Sequence, residues 1–498
     1  MNRKFSAVVM ALMCAGCAVG PDYVTPDTTL PQQFLGDQGQ PTAEEISLEK
    51  WWSNFNDPIL TQLVNDAVRG NNDLQSAIAR VNQSRALYNQ TFLNLFPTIT
   101  SNGQYTNTHI PTSTFAGGAI QTGKSHINND YFSTGFDAVW ELDIFGRVRR
   151  SVEAQDAQID AAVAGLQDAI RILVSEVARN YIELRGAQHQ KEVAQDNART
   201  QEQVVKVAEA LFKGGQSTEF DVVRARAQYM NTMAAIPPFE AQEKGATYRL
   251  GVLTGRQPQE LVSMLSTSGP LPTYSGPVKL GDPALLLKRR PDIRAIERQL
   301  AAATANIGVA QGDLFPKVTF NGSISLQAPS VPELTSGDND AWNMIPTISW
   351  PAFNIGRVLA QVDQAEAFTA EQLAQYEQSI LLALEETEGA LARFAAAKQR
   401  RDYLKVSVDQ SGKAVAIART QYENGLIDLL PVLDAQRVAL LAQVELVSSE
   451  TNLLNSLVQL FKALGGGWDD ALTTNEVIDV IDETGHAPTV ITTASAAH

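Results

Sequence analysis

The chain is written twice, and that duplication limits what it can fold into. Trp140, Gly146-Arg147-Val148, Gly215, Leu250 and Gly255 return as Trp350, Gly356-Arg357-Val358, Gly425, Leu460 and Gly465, every pair 210 positions apart. Upstream, Leu95-Phe96-Pro97 returns as Leu314-Phe315-Pro316, and Asn72-Asp73-Leu74 aligns with Pro291-Asp292-Ile293, both 219 apart. The constant offset from Trp140 to Gly255 fixes the lengths of the elements between them. The nine-residue difference falls between Pro97 and Trp140, which makes that stretch the variable loop of a structural duplication.

Each half follows one order. A helical run comes first (about 59–95 and 283–313), marked by apolar residues at spacings of three and four. Two strand-like segments follow, about 98–142 and 317–353. Val318, Phe320, Gly322, Ile324 and Leu326 alternate with Thr319, Asn321, Ser323, Ser325 and Gln327, the period of two expected of a strand. Then come the long helical runs Gly146 to Phe212 and Gly356 to Tyr422, in which Ile170, Val174, Val177, Tyr181 and Leu184 keep a heptad-like spacing. A 67-residue helix rises about 100 Å, far more than a globular bundle needs. These helices are struts. A last helix in each half runs to Leu253 and Leu464.

The strands are long enough for tilted crossings of a bilayer, and Trp140, Trp342 and Trp350 read as an aromatic girdle at their outer ends. Four strands are too few to close a barrel, and an open edge in hydrocarbon leaves backbone groups unpaired. Either the barrel is shared between chains or the strands form a soluble sandwich.

The N-terminus favours the membrane. Arg3 and Lys4 precede an apolar run, Phe5 to Met13, and then Cys14-Ala15-Gly16-Cys17. That is a secretory signal over 1–16, too short for a permanent anchor. Gly16-Cys17 resembles a bacterial lipobox, with Cys14 where Leu or Val is usual, so Cys17 is the expected lipidation site and mature N-terminus. Ala18 after it favours sorting to the outer membrane. Both cysteines lie in this segment, leaving the mature chain without a disulfide. Removing Arg3 and Lys4 from the 39 basic residues leaves 37 against 55 acidic, a net −18, which argues against a nucleic-acid partner.

Four motifs carry a family resemblance: Trp51-Trp52-Ser53-Asn54-Phe55-Asn56-Asp57-Pro58, Trp140-Glu141-Leu142-Asp143-Ile144-Phe145-Gly146-Arg147-Val148, Arg289-Arg290-Pro291-Asp292-Ile293-Arg294 and Val432-Leu433-Asp434-Ala435-Gln436-Arg437. They resemble the TolC-like outer-membrane factors. The closest branch is the OprM/NodT-type lipoproteins that serve resistance-nodulation-division (RND) pumps, and the likeness covers nearly all of 17–468. The resemblance implies a mainly α fold with a membrane β-barrel: a homotrimer with a 12-stranded barrel above a long periplasmic α-barrel. It implies a passive exit duct for drugs or other small solutes, working with a periplasmic adaptor and an inner-membrane RND-type pump. No cofactor is implied beyond the acyl and diacylglycerol lipid on Cys17. The organisation is then a signal (1–16), an N-terminal extended segment (17–58), two repeats (59–255 and 283–467), a linker (256–282) and a tail (468–498).

An enzyme is disfavoured. His109, His126, His189, His486 and His498 are scattered, and no HExxH, GxSxG, Walker or dinucleotide-binding pattern occurs. A secreted coiled-coil scaffold would need no duplicated strand pairs, and a type I protein-secretion channel would normally lack the lipobox. For a duct, the residues that matter are those that can close it. The turns at 213–219 and 423–429 lie at the far ends of the struts. Thr218 with Asp221, and Asp428 in the second repeat, are candidate helix caps, and Pro431 falls in a first turn where its missing N–H is harmless. By the resemblance, Tyr422, Leu426 and Asp428, with Thr218 and Asp221, form the periplasmic gate. Gly215 and Gly425 mark the adaptor contact, a glycine there permitting close backbone approach. Substrate identity is not legible.

Overall fold

In a computed structural model, the structure describes residues 18–28, 31, 33–35, 48–111, 126–274, 283 and 289–468. The signal, Cys17 and most of the tail lie outside them. The chain divides into two compact units.

The first unit holds residues up to 26, 82–161 and 296–376. Its centre is a four-stranded antiparallel meander in chain order: β1 (Thr98–Pro111), β2 (His126–Leu142), β3 (Lys317–Ala328) and β4 (Asp340–Ser349). The register keeps every row on one face. Trp342 lies opposite Ile324, which lies opposite Phe136, and Met344, Gly322, Ala138 and Ile99 form the next row. Most of the large apolar side chains therefore share one face, Val139 and Ile345 lying on the other. Thr100, Ser323 and Asn343, with Thr319, Asn321 and Thr347, share the other. β1 and β4 are the sheet edges.

Two tryptophans fasten strand to helix by the same bond in both repeats. The Trp140 indole donates to the Leu95 carbonyl at 2.9 Å, and that of Trp350 donates to the Leu314 carbonyl at 3.0 Å. Trp140 and Trp350 thus sit at the helical ends of their strands, contrary to the expected outer-end girdle. Only Trp342 lies towards the β3–β4 connection. Two helices feed the sheet, α2 (Asn72–Leu93) and α7 (Pro291–Gly312). An extended N-terminal strap lies along α7, where a Cβ on Gly20 would come within 2.4 Å of the Gly308 Cα. The strap is tied by Arg150 to the Val19 and Gly20 carbonyls and Asp22, and by Tyr23 to Glu297 at 2.6 Å.

The second unit holds 27–81, 162–295 and 377 onwards. Its core packs Trp51, Phe55 and Phe461, with Trp51 stacked on Phe461 at 5.2 Å, against α1 (Pro58–Gly70) and α6 (Pro258–Leu265). The struts are α3 (Arg147–Lys213, 67 residues) and α8 (Ile355–Glu423, 69 residues), neither apolar enough to cross a membrane. The return helix of the second repeat, α9 (Leu429–Ala463), is continuous. In the first repeat the single helix expected to reach Leu253 is instead two, α4 (Glu219–Ala234) and α5 (Ile236–Leu253). Pro237 and Pro238 supply no N–H to the preceding turn, so the hydrogen-bond ladder breaks at Ala235. The last carbonyls of α9 are held by buried arginines. Arg171 donates to the Lys462 carbonyl, and Arg290 to the Ala463 carbonyl and to Glu386 and Asp292.

Candidate functional site

The two struts end in the same way. Gly215 and Gly425 both have φ +71°, the left-handed region that ends a helix without a Cβ penalty. The Gln216 N–H donates to the Leu211 carbonyl at 2.9 Å, and the Leu426 N–H to the Gln421 carbonyl at 2.8 Å, the long bond of a Schellman turn in each repeat. A Cβ on either glycine would meet no described atom within 4 Å. The glycines are therefore required by the turn itself, and among the described residues no backbone approaches them closely.

Beyond the turns the repeats differ. Thr218 and Asp221 form a full capping box: the Asp221 N–H donates to the Thr218 hydroxyl, and the Thr218 N–H and hydroxyl donate to the Asp221 carboxylate at 3.1 and 2.8 Å. These bonds hold the Asp221 carboxyl below its ordinary range, the Thr218 hydroxyl being the largest cause. Asp428 occupies the matching N-cap position of α9, but its side chain makes no cap bond, contrary to expectation. One potential donor is missing three residues on. Where Asp221 offers an N–H, the second repeat has Pro431, which has none.

A small apolar cluster binds the two hairpins together: Val205, Ala208, Val222, Ala225, Leu429, Val432 and Leu433. Sequence reading missed it, although Val222 and Val432 are repeat partners. Tyr422 packs against this cluster, and its phenol is pushed up, first by burial and then by the Asp221 charge. Tyr422 and Asp221 are thus brought together across the repeats. Leu426 is not part of the cluster, and 73% of it faces outward. Among the described residues no group of three His, Cys, Asp or Glu side chains could hold a metal.

A family model described as outer membrane efflux protein matches residues 63–256 and 283–466. The chain belongs to the outer membrane efflux protein family. It is 32% identical over 475 residues to the solvent efflux pump outer membrane protein SrpC of Pseudomonas putida, covering 93% of this chain and 99% of that one. Nodulation protein T of Rhizobium leguminosarum bv. trifolii is 28% identical over 466 residues, covering 94% and 98%. The solved outer-membrane channel OprN matches with a TM-score of 0.83 at 37% identity, over 91% of this chain and 100% of that one. The open state of MtrE from Neisseria gonorrhoeae matches at 0.78 and 26% identity, over 91% and 98%. This outer membrane efflux protein has the fold of TolC-like outer-membrane channels, and it is a transport channel of the outer membrane that extends into the periplasm. Its family is one of efflux channels, not enzymes.

Proposed function

We propose that three copies of this chain close their sheets into one 12-stranded barrel, and that the resulting duct carries small solutes passively from a periplasmic adaptor and an inner-membrane RND-type pump to the exterior. The observation that carries this reading is the sheet itself. It has one mainly apolar face, one mainly polar face and two bare edges, which suits lipid outside and water inside only when the edges meet those of other copies. Cys17 bears the lipid anchor and adds a second hold on the same membrane.

The turn pair is the gate. Tyr422 with Asp221, the exposed Leu426 and the uncapped Asp428 meet their copies around the three-fold axis. Three copies of these side chains crowd the axis and narrow the passage, and contact with the adaptor shifts the tip from this closed state towards an open one. The adaptor docks beside Gly215 and Gly425, whose bare backbones leave room for it. Because the Asp428 carboxylate makes no cap bond, Asp428→Ala removes charge without unravelling α9. Single-channel recordings of reconstituted protein are expected to give a raised conductance for this variant. Unchanged conductance would sink the assignment of Asp428 to the gate.

A further inference from the structure

We infer that Asp137 is a charge-selectivity residue of the strand section of the duct, making that section prefer cationic over anionic solutes. The inference rests on the proposed closure of the sheet into a barrel whose polar face lines the lumen.

The register places mostly polar side chains on that face, with Val139 and Ile345 as apolar members of the row through Thr98 and Asn321. From β1 come Thr98, Thr100, Asn102, Gln104 and Thr106; from β3, Thr319, Asn321, Ser323, Ser325 and Gln327; from β4, Asn343, Thr347 and Ser349. Hydroxyls and amides dominate. Among the described strand residues only Asp137, Glu141 and Lys317 bring charge to this face. Glu141 is cancelled by Arg147 at 2.7 Å, and Lys317 by Asp313 at 2.8 Å, both at the helical end of the sheet. Asp137 differs. It sits on β2, one of the two inner strands, and accepts a hydrogen bond from the neutral Asn102 amide with no ion pair. Its row across the sheet reads Thr100, Asp137, Ser323, Asn343. The repeat partner 210 residues on is Thr347, so the duplication does not supply a second charge.

Closing three sheets puts three carboxylates at one level of a wall that is otherwise neutral there. Low-dielectric strands and lipid behind that wall focus the field into the lumen. A potential of about one kT at that level raises cations and lowers anions roughly 2.7-fold each. The Asn102 amide fixes the carboxylate on the wall without neutralising it.

The test uses full-length lipidated protein reconstituted in planar bilayers under a potassium chloride gradient. Asp137→Asn, which keeps an acceptor for Asn102, is expected to lower the cation-to-anion permeability ratio by about twofold or more, and most in dilute salt. Asp137→Lys should lower it further, and Asp137→Glu should retain it. An unchanged ratio in both the Asn and Lys variants would overturn the inference. Asp137→Cys separates this from failure of the barrel reading. A membrane-impermeant thiol reagent should reduce its conductance while leaving the wild type unaffected. Modification of that cysteine without any change in conductance would mean the polar face does not line the lumen.

Discussion

Replacing Gly425 distinguishes two demands that fall on one residue. Its φ of +71° costs an ordinary L-residue about 1–2 kcal/mol, whereas Asn tolerates that region far better. No described atom lies within 4 Å of an added Cβ, so steric conflict inside the chain adds nothing. If the turn alone matters, Gly425→Ala loosens the last turn of α8 by about 1 kcal/mol, roughly a fivefold rise in frayed tips, and Gly425→Asn by less. Export should then rank Asn above Ala. If the adaptor packs on that backbone, Gly425→Asn should export as poorly as Ala or worse while folding normally, because its side chain projects into the docking space. The assay is efflux of a fluorescent substrate from cells carrying the proposed adaptor and pump, with protein in the outer membrane quantified by immunoblot of that fraction. Gly215→Asn, at the same φ, should behave alike. Gly255 is the contrasting control, since a Cβ there would lie 1.9 Å from the Gly70 carbonyl oxygen and should prevent folding. Wild-type export by Gly425→Asn would refute docking at this turn. Failure of that variant to reach the membrane would refute the conformational argument.

Three further outcomes follow from the same geometry. Arg290→Met should destabilise the chain by about 1–3 kcal/mol, because it frees the Ala463 carbonyl, unpairs the partly exposed Glu386 and leaves Asp292 with only Arg171; thermal unfolding measures it, and Arg290→Lys should rescue little. Trp350→Phe removes the indole bond to Leu314 and should cost about 1 kcal/mol, read as a lower thermal unfolding temperature, with Trp140→Phe adding independently. The Asp221 carboxyl is held low in the fold, so its stabilisation is complete above the unfolded carboxylate value and is lost as pH falls through the folded one; Tyr422 is held high, so its stabilisation is complete below the unfolded phenol value and is lost as pH rises. Conductance of reconstituted channels should therefore rise at both extremes, and Tyr422→Phe should abolish only the alkaline rise.

Much of this was legible because duplication fixes geometry twice. An offset of 210 that survives from Trp140 to Gly255 leaves no room for a different strut length, and both struts end where the glycines said they would. The alternation of Val318 to Leu326 likewise named the apolar face before its neighbours were known. What escaped depended on residues the repeat does not share. Pro237 and Pro238 face Val447 and Ser448, so one return helix breaks and the other does not. Asp428 looked like a cap because its own identity suits one, but the third helical position, whose N–H closes the capping box in the first repeat, is occupied by proline. Trp140 and Trp350 looked like a membrane girdle, yet each indole donates to a carbonyl in the turn just past a helix, reachable only through tertiary structure. The cluster under the turns joins residues from both halves, and periodicity within one helix does not reveal which other helix it meets.

The two bare edges of the sheet bear on the life of the protein before it reaches its destination. In the proposed assembly a newly made subunit has nowhere to put the ladder groups of β1 and β4 except water. Hydrocarbon will not take them unpaired, so a solitary sheet cannot insert and wait. Membrane insertion and recruitment of partners must then be one event, with a rate that climbs steeply with subunit concentration. Scarce synthesis would leave stranded, sticky intermediates instead of a proportionately smaller number of finished channels.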